Sequence, residues 1–152
     1  MSLDQWHRNS WIKEWMTNAS EIADLLAVVD REIADASVSG LSMDGRYMHA
    51  YDAALNLCAI ALKASGYTVP KGAGHHKRTI ESLPLILGTR FQATSDEIEL
   101  ASRLRGQAMY DRAEVVREED ATNLLATATH LRSDILGWLR RTYPSLLAKS
   151  TS

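Results

Sequence analysis

The spacing of the apolar side chains constrains the fold most, because they recur every three or four residues in nearly every segment of the chain. The clearest stripe, between residues 117 and 141, consists of Ala121, Leu124, Ala128, Leu131, Ile135 and Trp138. This is the period of an α-helix with one buried face, whereas a half-buried strand alternates every two residues. No segment sustains that alternation. The sequence therefore predicts an all-α chain, an up-and-down helical bundle of five or six helices.

Capping residues and helix breakers divide the chain into separate helices. The predicted helices are Leu3 to Met16, one from near Ser20, one from Ser42, one from His75 to Leu87, one capped by Thr94, and one from about Arg117 to Arg141. Serine and threonine are favoured at N-caps. Pro84 lacks a backbone N–H and should kink its helix or start a new turn.

The length of the chain fits a single domain, since 152 residues leave no room for two ordinary ones. Within it we expect an N-terminal helical segment (1–18), a helical bundle (19–145) and a flexible tail (146–152).

Charge and cysteine content restrict the partners and the compartment. The formal net charge is −2 and the pI is about 6.2, whereas basic nucleic-acid binders usually have a pI above about 9. Any phosphate-binding surface must therefore be a local patch. The one cysteine, Cys58, lies in an apolar stripe and is predicted to be a core residue. Without a disulfide framework, a secretory signal or an apolar run of about 20 residues, the expected location is the cytoplasm, with no membrane partner.

Two stretches of sequence resemble the HEPN superfamily. The first runs from Arg46 through Leu55 to Tyr67 (RYMHAYDAAL and then ASGY), and a histidine-containing helix at His75 follows it. The second is LRGQAMYD at 104–111, followed by EEDA at 118–121. Together they span roughly residues 20 to 140, and their order and spacing are similar to those of the family.

The resemblance implies a helical bundle that forms a homodimer. Many HEPN proteins are metal-independent ribonucleases of toxin–antitoxin, phage-defence or CRISPR-associated systems, in which an arginine precedes a histidine by four to six residues. Arg105 matches that arginine, but Tyr110 stands where the histidine is expected, and Gly106 replaces a polar residue. A tyrosine with an unperturbed pKa of about 10 is a poor base at neutral pH. Whether the chain is an enzyme therefore stays open.

Arg105 and Tyr110 are the first candidate site residues. Arg105 is expected to contact phosphate, with the Tyr110 hydroxyl as a donor. The alternative is a structural pair, in which Arg105 bridges a carboxylate.

A second candidate patch consists of His75 and His76, with Lys77, Arg78 and Lys71 nearby. It would face phosphate or RNA, or one histidine would supply the proton transfer that Tyr110 cannot. The alternative is a solvated helix start. Adjacent histidines on a helix diverge by about 100°, so no metal site and no cofactor are expected.

Two further groups have both a functional and a structural interpretation. Arg46, His49 and Asp52, spaced three residues apart, either line a cleft or form the polar edge of a buried helix. The Trp6, Trp11 and Trp15 rings either stack on bases or make packing contacts.

Three functions follow from these residues. The preferred hypothesis is a HEPN-like dimeric nucleotide- or RNA-associated binding module of a toxin–antitoxin or defence system, with a nucleotidyltransferase-type partner protein. The first alternative is a metal-independent endoribonuclease that uses Arg105 with His75 or His76. The second is a structural protein-interaction module without a ligand.

Overall fold

A computed structural model describes residues 1–72, 74–110 and 116–148, with the backbone alone for 106–110. The fold is the predicted all-α helical bundle. Its helices are α1 (Leu3–Arg8), α2 (Ala19–Ala36), α3 (Met43–Ala64), α4 (His75–Glu81), α5 (Leu83–Leu87), α6 (Gln92–Tyr110) and α7 (Glu118–Thr142). Short 3-10 turns lie at Thr89–Phe91 and Pro144–Leu147. The two-residue strands β1 (Lys13–Glu14) and β2 (Tyr67–Thr68) pair antiparallel and do not change the class.

Helix α3 is the centre of the bundle, because α2, α4, α6 and α7 all pack on it. It begins after the predicted N-cap Ser42, whose hydroxyl accepts from the Gly45 N–H. Its buried side chains include many small ones, such as Ala50, Ala54 and Cys58. Small residues on several faces let neighbouring helices approach closely from different sides. The wide apolar face and the core position of Cys58 are both confirmed.

Helix α2 runs antiparallel to α3. Their polar contacts pair Glu21 with Lys63 and Glu32 with His49, so the residue number rises along α2 as it falls along α3. Arg46, near the start of α3, donates to carbonyls at the end of α2. This pairing brings the start of α2 to the end of α3, where the candidate site lies.

The N-terminal segment differs from the predicted helix of Leu3 to Met16. Helix α1 ends at Arg8, and Ser10 adopts a left-handed φ of 61° that breaks the helix. Trp6 and Trp11 then pack edge to face, with ring centroids 6.0 Å apart. Trp15 directly follows β1 and does not belong to this pair of rings. The predicted helix of Leu3 to Met16 is therefore wrong beyond Arg8, because a local turn at Ser10 interrupts it.

Helix α2 begins near Ser20 as predicted, but the two N-caps predicted for α2 and α6 are wrong. Helix α2 is capped by the Asn18 side chain, which accepts from the Glu21 N–H at 2.8 Å, and not by Ser20. Thr94 lies inside α6, because the 3-10 turn at Thr89–Phe91 leads directly into that helix. The expected break at Pro84 is confirmed as the boundary between α4 and α5 at Ser82.

The C-terminal turn at Pro144–Leu147 packs on the bundle. Leu146 and Leu147 are partly buried against the core, although the predicted tail began at 146. Residues 149–152 of that tail lie outside the described residues. None of the described helices combines the length and the apolarity that crossing a membrane requires.

Candidate ligand-binding cleft

A cleft of about 530 Å³ opens between α2, α3, α4 and the pair of short strands. Helix α3 forms its floor through residues spaced three or four apart, namely Leu55, Asn56, Ala59, Leu62 and Lys63. The basic and aromatic lining residues are Lys13, Trp15, Lys63, Lys71, His75 and His76. The volume falls in the range typical of small-molecule sites, about 300 to 1,000 Å³.

The lining of this cleft is cationic. Among the described residues it contains three lysines and two histidines but no carboxylate. Lys63 pairs with Glu21 at 3.3 Å, just outside the lining. The ion pairs between described residues do not involve Lys13 or Lys71, and both side chains are exposed. The cleft therefore attracts anions on a chain whose overall charge is slightly negative.

The Trp15 end of the cleft is held by one carboxylate. The Trp15 Nε1–H donates to Glu21 Oε1 at 2.7 Å, and the Thr17 hydroxyl donates to the same oxygen. Lys63 Nζ lies 4.9 Å from the Trp15 ring centroid. Partial burial acts to raise the pKa of the Glu21 carboxyl, but the hydrogen bonds from Thr17 and Trp15 and the charge of Lys63 outweigh it, so that pKa is lowered. The indole is thus fixed in orientation.

The opposite end contains the two histidines at the start of α4. Their ring centroids are 5.0 Å apart. Partial burial lowers the pKa of His76, and the charges of His75 and Arg105 lower it further against the opposing effect of Asp52. The charged imidazolium form of His76 is therefore disfavoured relative to that of an exposed histidine. The charge that Arg105 contributes to this shift comes from the same chain and not from a second subunit.

Arg105 lies on α6 beside Asp52 of α3. Its Nε is 3.8 Å from Asp52 Oδ1, which is an ion-pair distance but longer than a hydrogen bond. This Nε is buried and has no hydrogen-bond partner within the described part of the chain. The side chain is 32% exposed, and its guanidinium lies 5.7 Å from the Tyr51 ring centroid. The carboxylate contact is thus present, and the phosphate role stays a prediction.

Burial raises the pKa of the Asp52 carboxyl, and Glu32 raises it further, while Arg105 opposes them. Asp52 therefore does not hold its negative charge as firmly as an isolated surface aspartate. Protonation or deprotonation of this carboxyl would change the electrostatic potential at both Arg105 and His76.

Arg46 and His49 serve the α2–α3 contact and do not line the cleft. Arg46 Nε donates to the Ala36 carbonyl at 2.8 Å and its terminal nitrogen donates to the Val38 carbonyl at 3.2 Å. His49 Nδ1 lies 2.7 Å from Glu32 Oε2. Of the two interpretations for these residues, the geometry matches the polar edge of a buried helix.

Lys77 and Arg78 also face away from the cleft lining. Lys77 approaches Glu99 of α6 at 4.0 Å. The Arg78 guanidinium lies 4.1 Å from the Trp11 ring centroid and 5.8 Å from that of Trp6. It therefore helps to hold the N-terminal segment on the bundle. The predicted ligand-binding role of these two residues remains untested.

One set of described side chains could hold a metal ion. Ligand atoms of Glu32, Asp35 and His49 lie within 4.8 Å of one another. The hydrogen bond between His49 and Glu32 explains their proximity without an ion. The expectation of no metal therefore stays a prediction.

The described residues also form a second large cavity, whose lining contains carboxylates where that of the cleft contains lysines. It measures about 550 Å³ and is lined by Tyr47, Glu97, Asp120 and His130, among others. Burial, with the charges of Asp120 and Glu97, raises the pKa of the Tyr47 hydroxyl to about 12. Its two carboxylates disfavour an anionic ligand.

The sequence identified only part of the cleft. His75, His76 and Lys71 were singled out as a patch, but Lys13 and Lys63 were not. Lys63 lies in the last turn of α3, where a basic residue is typical of any helix, and Lys13 carries no local signal at all. Their shared cleft depends on contacts between distant segments. The side chain of Tyr110 lies outside the described part of the chain, so the arginine–tyrosine pair stays a prediction.

Comparisons of this chain with protein-family models, with curated proteins and with solved structures found no match. The function must therefore be argued from the site.

Proposed function

We propose that this protein is a HEPN-like module that binds a nucleotide or RNA through phosphate. The observation that carries the proposal is the lining of the cleft, with three lysines, two histidines and no carboxylate among the described residues. Cations at such a surface gain affinity for phosphate by charge and by charge-assisted hydrogen bonds. The whole chain has a formal net charge of −2, so this attraction is a local property and not one of the chain as a whole.

Calorimetric titration with nucleotides and short RNAs at low salt tests the proposal. We expect binding that weakens as salt rises, because phosphate contacts release counterions. The Lys13→Gln and Lys71→Gln variants should weaken it, since both side chains line the cleft without a described ion pair. Arg140→Gln is the control, because this exposed arginine of α7 lies outside the lining. Absence of binding at millimolar concentrations of every probe would reject the proposal.

Homodimer formation and a role in a toxin–antitoxin or defence system belong to the same proposal. They rest on the resemblance of residues 20 to 140 to the HEPN superfamily. Light scattering on the purified chain tests the dimer directly. A monomer at every concentration would exclude the homodimer and would not bear on phosphate binding in the cleft.

A metal-independent endoribonuclease is the second candidate. It is favoured by His76, which lines the cleft, and by Arg105, whose buried Nε has no hydrogen-bond partner among the described residues. A neutral imidazole can accept a proton from the attacking hydroxyl, and an arginine can stabilise the developing charge on the phosphate. Cleavage of a labelled RNA in the presence of EDTA, lost in His76→Gln and in Arg105→Gln, is the expected result. Intact RNA with wild-type protein would exclude this candidate.

A further inference from the structure

One end of the cleft contains the Trp15 ring, and the other contains the imidazoles of His75 and His76. The floor residues of α3 lie between these two ends. Trp15 stands beside Lys63, in the last turn of α3. His75 and His76, at the start of α4, also line the cleft. The floor residues run from Leu55 to Lys63, and over these residues the helix rises about 12 Å. A floor of this length can hold a small ligand that contacts both ends.

The Trp15 ring is prepared for stacking before any ligand arrives. Its Nε1–H is tied to Glu21, Lys63 lies over the ring, and the side chain remains 37% exposed at the cleft. A ring that is already fixed loses little conformational entropy when a flat ligand packs on it. Nucleobases of any sequence stack on such a surface.

The imidazole end suits a phosphate group. His75 and His76 lie together there, and Lys71 precedes His75 by four residues in the segment that leads into α4. An imidazole N–H donates hydrogen bonds, and the lysine ammonium adds positive charge. The cleft volume of about 530 Å³ lies within the range of small-molecule sites.

We propose that the cleft binds a single nucleoside monophosphate, with its base on Trp15 and its phosphate at Lys71, His75 and His76. This inference rests on the proposed function and narrows it from nucleotides and RNA in general to one mononucleotide.

The test is calorimetric titration of the full chain with 5′-AMP, adenosine, ribose 5-phosphate and an eight-nucleotide RNA. We expect 5′-AMP to bind more tightly than adenosine or ribose 5-phosphate, because only 5′-AMP engages both ends. If the RNA binds and 5′-AMP does not, the mononucleotide inference fails and the proposed function stands. If no phosphate-bearing probe binds, both fail.

Four variants, one of them a control, assign the two ends. Trp15→Leu should weaken 5′-AMP binding about 10- to 100-fold and leave ribose 5-phosphate binding unchanged, while Trp15→Phe, which keeps a ring, should restore much of the loss. Lys71→Gln should weaken both ligands, and the control Arg140→Gln neither. Circular dichroism and thermal melting confirm folding of each variant. Equal losses of both ligands in Trp15→Leu, or equal losses in Lys71→Gln and Arg140→Gln, would overturn the assignment.

Discussion

At the scale of single residues, Glu21 joins the N-terminal segment to the bundle. Its carboxylate accepts from Trp15 and Thr17 and pairs with Lys63 of α3. Hydrogen bonds to a charged group each contribute about 1.5 to 3 kcal/mol. Glu21 thus combines a structural role with the orientation of one wall of the cleft.

Glu21→Gln should lower the free energy of unfolding by about 1 to 3 kcal/mol at pH 7, because the charge-assisted bonds are weakened. Since the folded-state pKa of Glu21 is lowered from 4.5, its contribution is present above that value and is lost as pH falls through the folded pKa. Urea denaturation at pH 7 and pH 3 measures both effects. The exposed Glu14→Gln is the control, with a change within about 0.5 kcal/mol. A Glu21 effect that is equally large at pH 3 would contradict the argument.

His76 should make anion binding depend on pH. Its pKa is lowered by partial burial and by its neighbours His75 and Arg105, with Asp52 opposing. Binding of 5′-AMP should therefore gain from imidazolium formation only below the usual histidine range. The ligand phosphate titrates near pH 6, so the informative quantity is the ratio of wild-type affinity to that of His76→Gln. Calorimetry between pH 5 and pH 8 should show this ratio rising toward pH 5, and a flat ratio would refute the role.

At the scale of elements, the C-terminal end of α2 is stabilised by a residue of α3. The last turn of α2 contains no basic residue of its own, although positive charge there would offset the helix dipole. Arg46 of α3 supplies that charge and donates to the Ala36 and Val38 carbonyls. This contact fixes how α2 lies along the floor helix of the cleft.

Arg46→Met should cost about 1 to 3 kcal/mol of stability, because two carbonyl groups lose a charged donor. Hydrogen exchange should report the largest increase in the last turns of α2. Arg31→Met provides a comparison, since this exposed arginine makes only a surface pair with Glu32 at 3.7 Å, worth about 0 to 1 kcal/mol. Equal effects of the two variants, measured by urea denaturation, would mean that the Arg46 contacts contribute nothing specific.

At the scale of the whole molecule, the central position of α3 depends on its small side chains. Ala50, Ala53, Ala54 and Ala61 are all fully buried, and helices contact α3 on several sides. Protein cores are close-packed, so extra volume at these positions must displace a neighbour. The cleft lies between elements that all meet on this helix.

Ala54→Leu should therefore destabilise the protein by about 1 to 3 kcal/mol through overpacking. Ala27→Leu on the exposed side of α2 is the matched control and should change stability by less than about 0.5 kcal/mol. The urea midpoints of the two variants measure the difference. Equal midpoints would show that the centre of the bundle accommodates the added volume.

The sequence by itself determined the helical class, the central helix after Ser42, the break near Pro84 and the burial of Cys58. These features depend on local periodicity, capping and backbone chemistry, which act over a few residues. It did not determine the short N-terminal helix, because a left-handed turn at Ser10 outweighs the spacing of the tryptophans.

Only the tertiary structure decided which charged residues share the cleft. Lys13 is far in sequence from Lys63 and Lys71 and meets them because β1 pairs with β2, just beyond the end of α3. Packing of α6 on α3 joins Arg105 to Asp52, and packing of α2 on α3 joins His49 to Glu32. The physical reason is that helix formation is governed by neighbouring residues, whereas the assembly of a site requires long-range contacts between helices and strands.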